Sequence, residues 1–226
     1  MKIDLTILQK NELFSGMEQK DIESMLSCLG YNVRKYPKGD IVWHVGSRIG
    51  GFGVVLRGQV QVIREDYFGK RSIIATIHPG GVFGEAFACA GLMESPLAVS
   101  TGEASEILFL QVEKILTTCK NACVFHSELI RRLVRMLAVK NLTLNKKMDF
   151  LSRRSTREKL SAYLLSEYSE KKANPFLIDL NRNELADYLS VDRSAMSREL
   201  SHMRDEGILD YWKNSFKILD FYGLES

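Results

Sequence analysis

Apolar positions along this chain change period three times, and each change marks a structural boundary. From Asp4 to Gly30 the pattern is helical: Ser15 starts a run in which Ile22, Met25 and Leu26 share a face. From Val33 it turns to short β-type segments. Ile41 to Trp43, Phe52 to Leu56, Val60 to Ile63, Ser72 to Ile77 and Ile107 to Leu110 are predicted strands. Turn sequences separate them at Lys38-Gly39-Asp40, Gly46-Ser47, Arg57-Gly58, Phe68-Gly69 and Pro79-Gly80-Gly81. Many short strands with regular turns predict a β-sandwich or jelly roll.

Near Ser127 the period becomes helical again. Ile130, Leu133, Leu137, Leu144 and Leu151 follow a 3-4 spacing, widened by Leu129, Met136 and Met148. With no helix breaker from Ser127 to Leu151, about seven turns are predicted. So long a stripe needs a partner. A second copy of the chain is the simplest one, which makes this a dimerisation helix; packing of the whole stripe on its own β-domain is the other reading. Arg131, Arg132, Arg135, Lys140, Lys146 and Lys147 form a solvated face. A hinge is expected at Ser152 to Ser155, a further helix from Thr156 to Glu170, and its end at Lys171 to Pro175. The expected domains are 1–126, 127–151 and 152–226.

The most specific stretch runs from Asn181 to Leu209. Asn181 and Glu184 have the spacing of a capping box, and Leu185 and Leu189 share a face beside Ala186. Ser190-Val191-Asp192 interrupts the pattern, and Asp192 can cap a second helix in which Met196, Leu200 and Met203 face inward. Arg193, Ser194, Ser197, Arg198 and Ser201 occupy a separate polar face. This is the layout of a helix-turn-helix, whose second helix presents its N-terminal half to base edges in a major groove. An arginine fork can donate twice to guanine, and Ser197 can reach a base or a phosphate. A small helical hairpin with a solvated arginine face would show the same spacing. The hairpin predicted over Tyr211 to Leu219, turning at Lys213-Asn214-Ser215, favours the first reading, because a hairpin after a recognition helix is a wing.

Composition refines this picture without changing it. The chain has 226 residues and a net charge of +3, too little to indicate a nucleic-acid partner by itself. After Ser152 acidic residues roughly cancel Arg182, Arg193, Arg198, Lys213 and Lys217, so DNA binding would rest on a few placed cations and on helix N-termini. No signal peptide and no bilayer-spanning apolar run is visible, so a cytoplasmic protein without membrane contact is expected. Cys28, Cys89, Cys119 and Cys123 are scattered, which argues against structural disulfides.

An N-terminal glycine-punctuated β-roll, a long central helix and a C-terminal winged helix-turn-helix together resemble the Crp/Fnr (catabolite-activator) family of bacterial transcription regulators. The resemblance covers nearly the whole chain. It is carried by Lys38-Gly39-Asp40, Val54 to Gly58, Gly81 to Glu85 and Asn183 to Leu209. It implies an α+β fold with a cyclic-nucleotide-binding-like jelly roll. It also implies a homodimer reading a near-palindrome on double-stranded DNA, with recognition helices about 34 Å apart, and a contact with RNA polymerase. By position Arg193 and Arg198 match the family's recognition-helix arginines. Ser194 stands where many members carry a glutamate, so the half-site should differ from the best-known ones.

The resemblance further implies an effector site, for which Phe83, Gly84, Glu85 and Ser95, with Thr143, Leu144 and Asn145 from the central helix, are the candidates. Gly84 and Glu85 match residues that address a ribose. The arginine that would hold a cyclic phosphate is missing: no Lys or Arg occurs from Ser72 to Glu113, and Pro96 lacks an N–H. A buried phosphate without a cation is costly, so a cyclic nucleotide is not expected unless the central helix supplies the cation. A neutral or apolar ligand, or none, is left open. An iron–sulfur cluster needs four thiolates, whereas Cys119 and Cys123 are the one close pair. That pair could act as a redox thiol couple, or simply be two small apolar residues. His78 is a haem ligand candidate without a visible partner. A cupin-like metalloenzyme would need clustered histidines, and His44, His78, His126 and His202 are far apart, so no enzyme and no metal site is expected. A stand-alone ligand-binding β-roll would not need residues 181–219.

Overall fold

The computed structural model describes residues 3–66, 68–69, 71–117 and 124–225. They form two compact units, Met1–Ala138 and Val139–Ser226.

The first unit begins with helices α1 (Leu5–Gln9) and α2 (Gln19–Leu29). Ile22, Met25 and Leu26 are buried on one side of α2, as their spacing requires. The helix starts at Gln19, after Glu18, four residues later than Ser15. Eight strands follow: β1 (Tyr31–Tyr36), β2 (Ile41–Trp43), β3 (Gly51–Arg57), β4 (Val60–Glu65), β5 (Arg71–Ile77), β6 (Val82–Phe83), β7 (Ala98–Thr101) and β8 (Ser105–Gln111). They build two antiparallel sheets, ordered β1-β8-β3-β6 and β2-β7-β4-β5.

Alternation along the central strands explains the layering. Val55 on β3 and Ile107 on β8 meet Val60 and Val99 of the other sheet in one buried cluster. Val54 and Leu56 on β3, and Leu108 and Leu110 on β8, point the other way, into a second core shared with α1 and α2. The first sheet is therefore covered on both faces. This second core also takes in Ile115 of α4 (Val112–Leu116) and Leu129, Leu133 and Met136 of α5 (Val124–Ser152).

The stripe on α5 thus has two fates. Leu129, Leu133 and Met136 are buried in their own unit, with Ile130 and Leu137 packed against the same core. Leu144 and Met148, farther along, are 61% and 66% exposed. The reading that joined them into one intermolecular seam holds at most for the second half. Periodicity cannot separate a stripe that changes partners midway.

In the second unit α5 ends at Ser152, and Ser155 accepts from the Glu158 N–H to cap α6 (Thr156–Lys171). The short strand β9 (Phe176–Leu177) follows, then α7 (Arg182–Leu189), α8 (Arg193–Asp205), β10 (Leu209–Trp212), β11 (Ser215–Ile218) and α9 (Phe221–Glu225). The hairpin pairs Leu209 with Ile218 and Trp212 with Ser215, and β9 adds a third strand through Phe176 and Phe216.

Candidate nucleic-acid interface

The helix-turn-helix is assembled by local hydrogen bonding before any packing is considered. Asn181 accepts from the N–H groups of Asn183 and Glu184 at 2.9 and 3.1 Å, and the Glu184 carboxylate accepts from Asn181 N–H at 2.7 Å. The capping box therefore fixes where α7 starts. It ends at Ser190, whose φ of 51° turns the chain, and Val191 N–H donates back to Ala186. Asp192 then accepts from Ala195 N–H at 2.8 Å and starts α8. Met196, Leu200 and Met203 are buried against Leu185, Ala186 and Leu189. That fixes the rotation of α8 about its axis.

With the apolar face committed, Arg193, Ser194, Ser197 and Arg198 are left in solvent at the helix's N-terminal half. Among the described residues neither arginine makes an ion pair or a side-chain hydrogen bond. Their forks are free for an outside acceptor. Lys213, also exposed, sits in the hairpin turn with φ 51°. Ser201 is half-buried; its hydroxyl donates to the Ser197 carbonyl at 3.1 Å and lies 3.4 Å from the Tyr211 hydroxyl.

Arg182 differs from the other expected contacts. Its guanidinium lies over the rings of Tyr211 and Phe216, and Nη2 donates to the Lys213 carbonyl at 2.9 Å. Burial lowers its pKa below that of a free guanidinium. The structure uses this arginine to tie α7 to the wing, a role that charge counting along the chain does not reveal.

Two further groups were not visible in the sequence. Arg157 of α6 donates to Glu199 at 2.6 Å and to Glu206 at 2.7 Å, bracing both halves of α8. Hydrogen bonds donated to Glu206, and then to Glu199, raise its pKa, and the same pairing lowers that of Glu206. Trp212, 76% exposed beside Lys213, adds a large ring to the wing tip.

In the first unit the expected effector residues divide. Phe83 is buried edge-on to Trp43, with ring centroids 5.1 Å apart. A Cβ on Gly53 would stand 2.2 Å from the Phe83 ring, so only glycine admits that ring. Gly84 has φ 80°, and a Cβ there would lie 2.4 Å from the Trp43 indole. Glu85 is buried at the start of α3 (Glu85–Cys89). Burial, and then Glu85, raise the Cys89 pKa. Ser95 is buried too, but its hydroxyl donates to the Leu97 carbonyl at 2.6 Å and is consumed by its own turn. Thr143, Leu144 and Asn145 belong to the second unit, where all three are exposed. Thr143 donates to the Val139 carbonyl and Asn145 to Asn141.

Among the described residues no three His, Cys, Asp or Glu side chains gather as a metal-binding group, and His78 is exposed. Cys119 and Cys123 lie outside the described residues. No helix among them is long and apolar enough to cross a membrane.

Residues 33–122 match the family model of the cyclic nucleotide-binding domain, and residues 158–226 match that of the Crp-like helix-turn-helix domain. The chain belongs to the Crp/Fnr family of bacterial transcription regulators. Like other Crp/Fnr regulators it joins a sensor-like β-domain to a DNA-binding helix-turn-helix. It is 27% identical over 202 residues to the "Cyclic AMP receptor protein" of Thermus thermophilus, covering 89% of each chain. It is 25% identical over 132 residues to the "Transcriptional activator protein FnrA" of Stutzerimonas stutzeri, covering 56% of this chain and 51% of that one. The crystal structure of the Thermus thermophilus catabolite activator protein shares its fold, with TM-score 0.54 and 23% identity over 95% of this chain and 97% of that one.

Proposed function

We propose that this Crp/Fnr regulator is a cytoplasmic homodimer that reads a near-palindromic DNA site through Arg193, Ser194, Ser197 and Arg198. Lys213 and the wing would contact the backbone. The observation that carries this reading is a pair of solvent-exposed, unpaired arginines on a helix whose orientation the core dictates. With no clustered metal ligands among the described residues, the chain is read as a regulator and not as an enzyme. The exposed second half of α5, with Leu144 and Met148, is the surface for a second copy, and RNA polymerase is the expected downstream partner.

The effector is proposed not to be a cyclic nucleotide held at Gly84 and Glu85. Three features support this: no Lys or Arg from Ser72 to Glu113, the Trp43 ring over Gly84, and the Ser95 hydroxyl bonded within its own turn. The match to a cyclic nucleotide-binding domain describes ancestry and fold, whereas the phosphate needs a cation. Selection of random duplex DNA by the reduced, ligand-free protein tests the reading. An inverted repeat with half-sites one helical turn apart supports it. Weak, salt-sensitive binding to every sequence would mean that the unliganded dimer is held inactive.

A further inference from the structure

We propose that a cleft in the first unit, distinct from the Gly84-Glu85 loop, binds a small planar aromatic anion. The cleft encloses about 520 Å³ and is bordered by β1, by β2 and by the start of β3. That volume lies within the range of small-molecule sites, about 300–1,000 Å³. None of Phe83, Gly84, Glu85 and Ser95 lines it.

Its chemistry is one-sided. Arg34, Arg48 and Lys114 line the cleft, and no Asp or Glu does. In a chain with 31 basic and 28 acidic residues, three cations without one carboxylate is a local excess that the composition does not explain. Among the described residues none of the three has an ion-pair partner. They come from β1, the β2–β3 connection and α4, all outside the cation-free stretch Ser72 to Glu113. Cations in this unit are therefore present, but directed at a different place from the loop.

Tyr36, Trp43 and Phe109 contribute rings to the lining. The Trp43 and Phe109 centroids are 6.3 Å apart, and the Arg34 guanidinium stands 6.0 Å from the Phe109 centroid. Rings supply a stacking surface for a planar group, and guanidinium forks supply paired donors for a carboxylate or phosphate. A ligand with both features satisfies the cleft, whereas a bare ion leaves the rings unused and a neutral ring leaves the cations unpaired.

The test is a tryptophan fluorescence titration of the full chain carrying Trp212→Phe, which leaves Trp43 as the reporter. Benzoate, phenyl phosphate, inorganic phosphate and benzyl alcohol are the probes. Saturable quenching by benzoate or phenyl phosphate, at least about tenfold tighter than by the other two, is expected from charge-assisted pairing combined with stacking. The stronger of the two names the anion as carboxylate or phosphate. Arg34→Gln with Arg48→Gln, or Lys114→Gln alone, should weaken binding at least about tenfold and leave the unfolding midpoint unchanged. Absence of saturable quenching by either aromatic anion, or unchanged affinity in folded variants, overturns the assignment.

Discussion

The Arg182 guanidinium stands 4.8 Å from the Phe216 ring centroid and 4.9 Å from that of Tyr211, so the first helix of the reading unit is fastened to its wing. Arg182→Ala removes this stacking and the hydrogen bond to Lys213. It should cost about 1–3 kcal/mol of stability in urea denaturation. DNA affinity should fall by a similar factor on every sequence. A relaxed base preference at unchanged stability would make Arg182 a base contact instead.

Arg193→Ala should behave in the opposite way. The side chain supports nothing within the fold, so the melting curve should not move. Binding to the selected site should weaken by ~1–3 kcal/mol, and base choice should relax at one position per half-site. Equal losses on all sequences would identify a phosphate contact.

The buried and exposed faces of the same unit should respond differently to truncation. Leu200→Ala opens a cavity between α7 and α8 and should cost about 2–5 kcal/mol. Trp212→Ala, at an exposed wing position, should cost less than about 0.5 kcal/mol in stability. Its effect should instead appear in DNA affinity.

Acid should release the brace on α8. Arg157 holds the Glu206 carboxyl below its ordinary value of 4.5. A depressed carboxyl contributes stability that is present above that value and lost as the pH falls through the folded-state pKa. Glu206→Gln should therefore lower the melting temperature near neutrality and flatten its decline between about pH 5 and 3. Parallel melts of the two proteins across that window decide it.

Assembly can be probed on the outer half of α5. Leu144→Glu should convert the proposed dimer to a monomer in sedimentation without unfolding it. Leu133→Glu, in the core of the first unit, should impair folding itself.

What was legible in the sequence follows from range. The capping box at Asn181 and Glu184, the Asp192 cap and the Met196, Leu200, Met203 face all depend on neighbours within a few residues, and each stands where its spacing placed it. Strand β7, with Val99 as its one large apolar residue, was missed, whereas the strands expected at 41–43, 52–56, 60–63, 72–77 and 107–110 were equally plain. The edge strand β1 was not, because Tyr31 to Tyr36 is polar and mostly exposed, and neither was two-residue β6, too short to show a period. Arg182 escaped for a different reason. Its environment is set by Tyr211 and Phe216, which lie about thirty residues away and meet it only after the wing folds back.

Trp43 over Gly84 has a consequence for any molecule addressed to that loop. The indole is an internal competitor, tethered at a local concentration that dilution cannot lower. The affinity such a molecule displays is its intrinsic affinity multiplied by the fraction of chains whose indole has swung aside. Every ~1.4 kcal/mol of ring contact lowers that fraction about tenfold. Selectivity at this loop therefore depends on a side chain that leaves, and the residue at position 43 sets the threshold that a visitor must exceed.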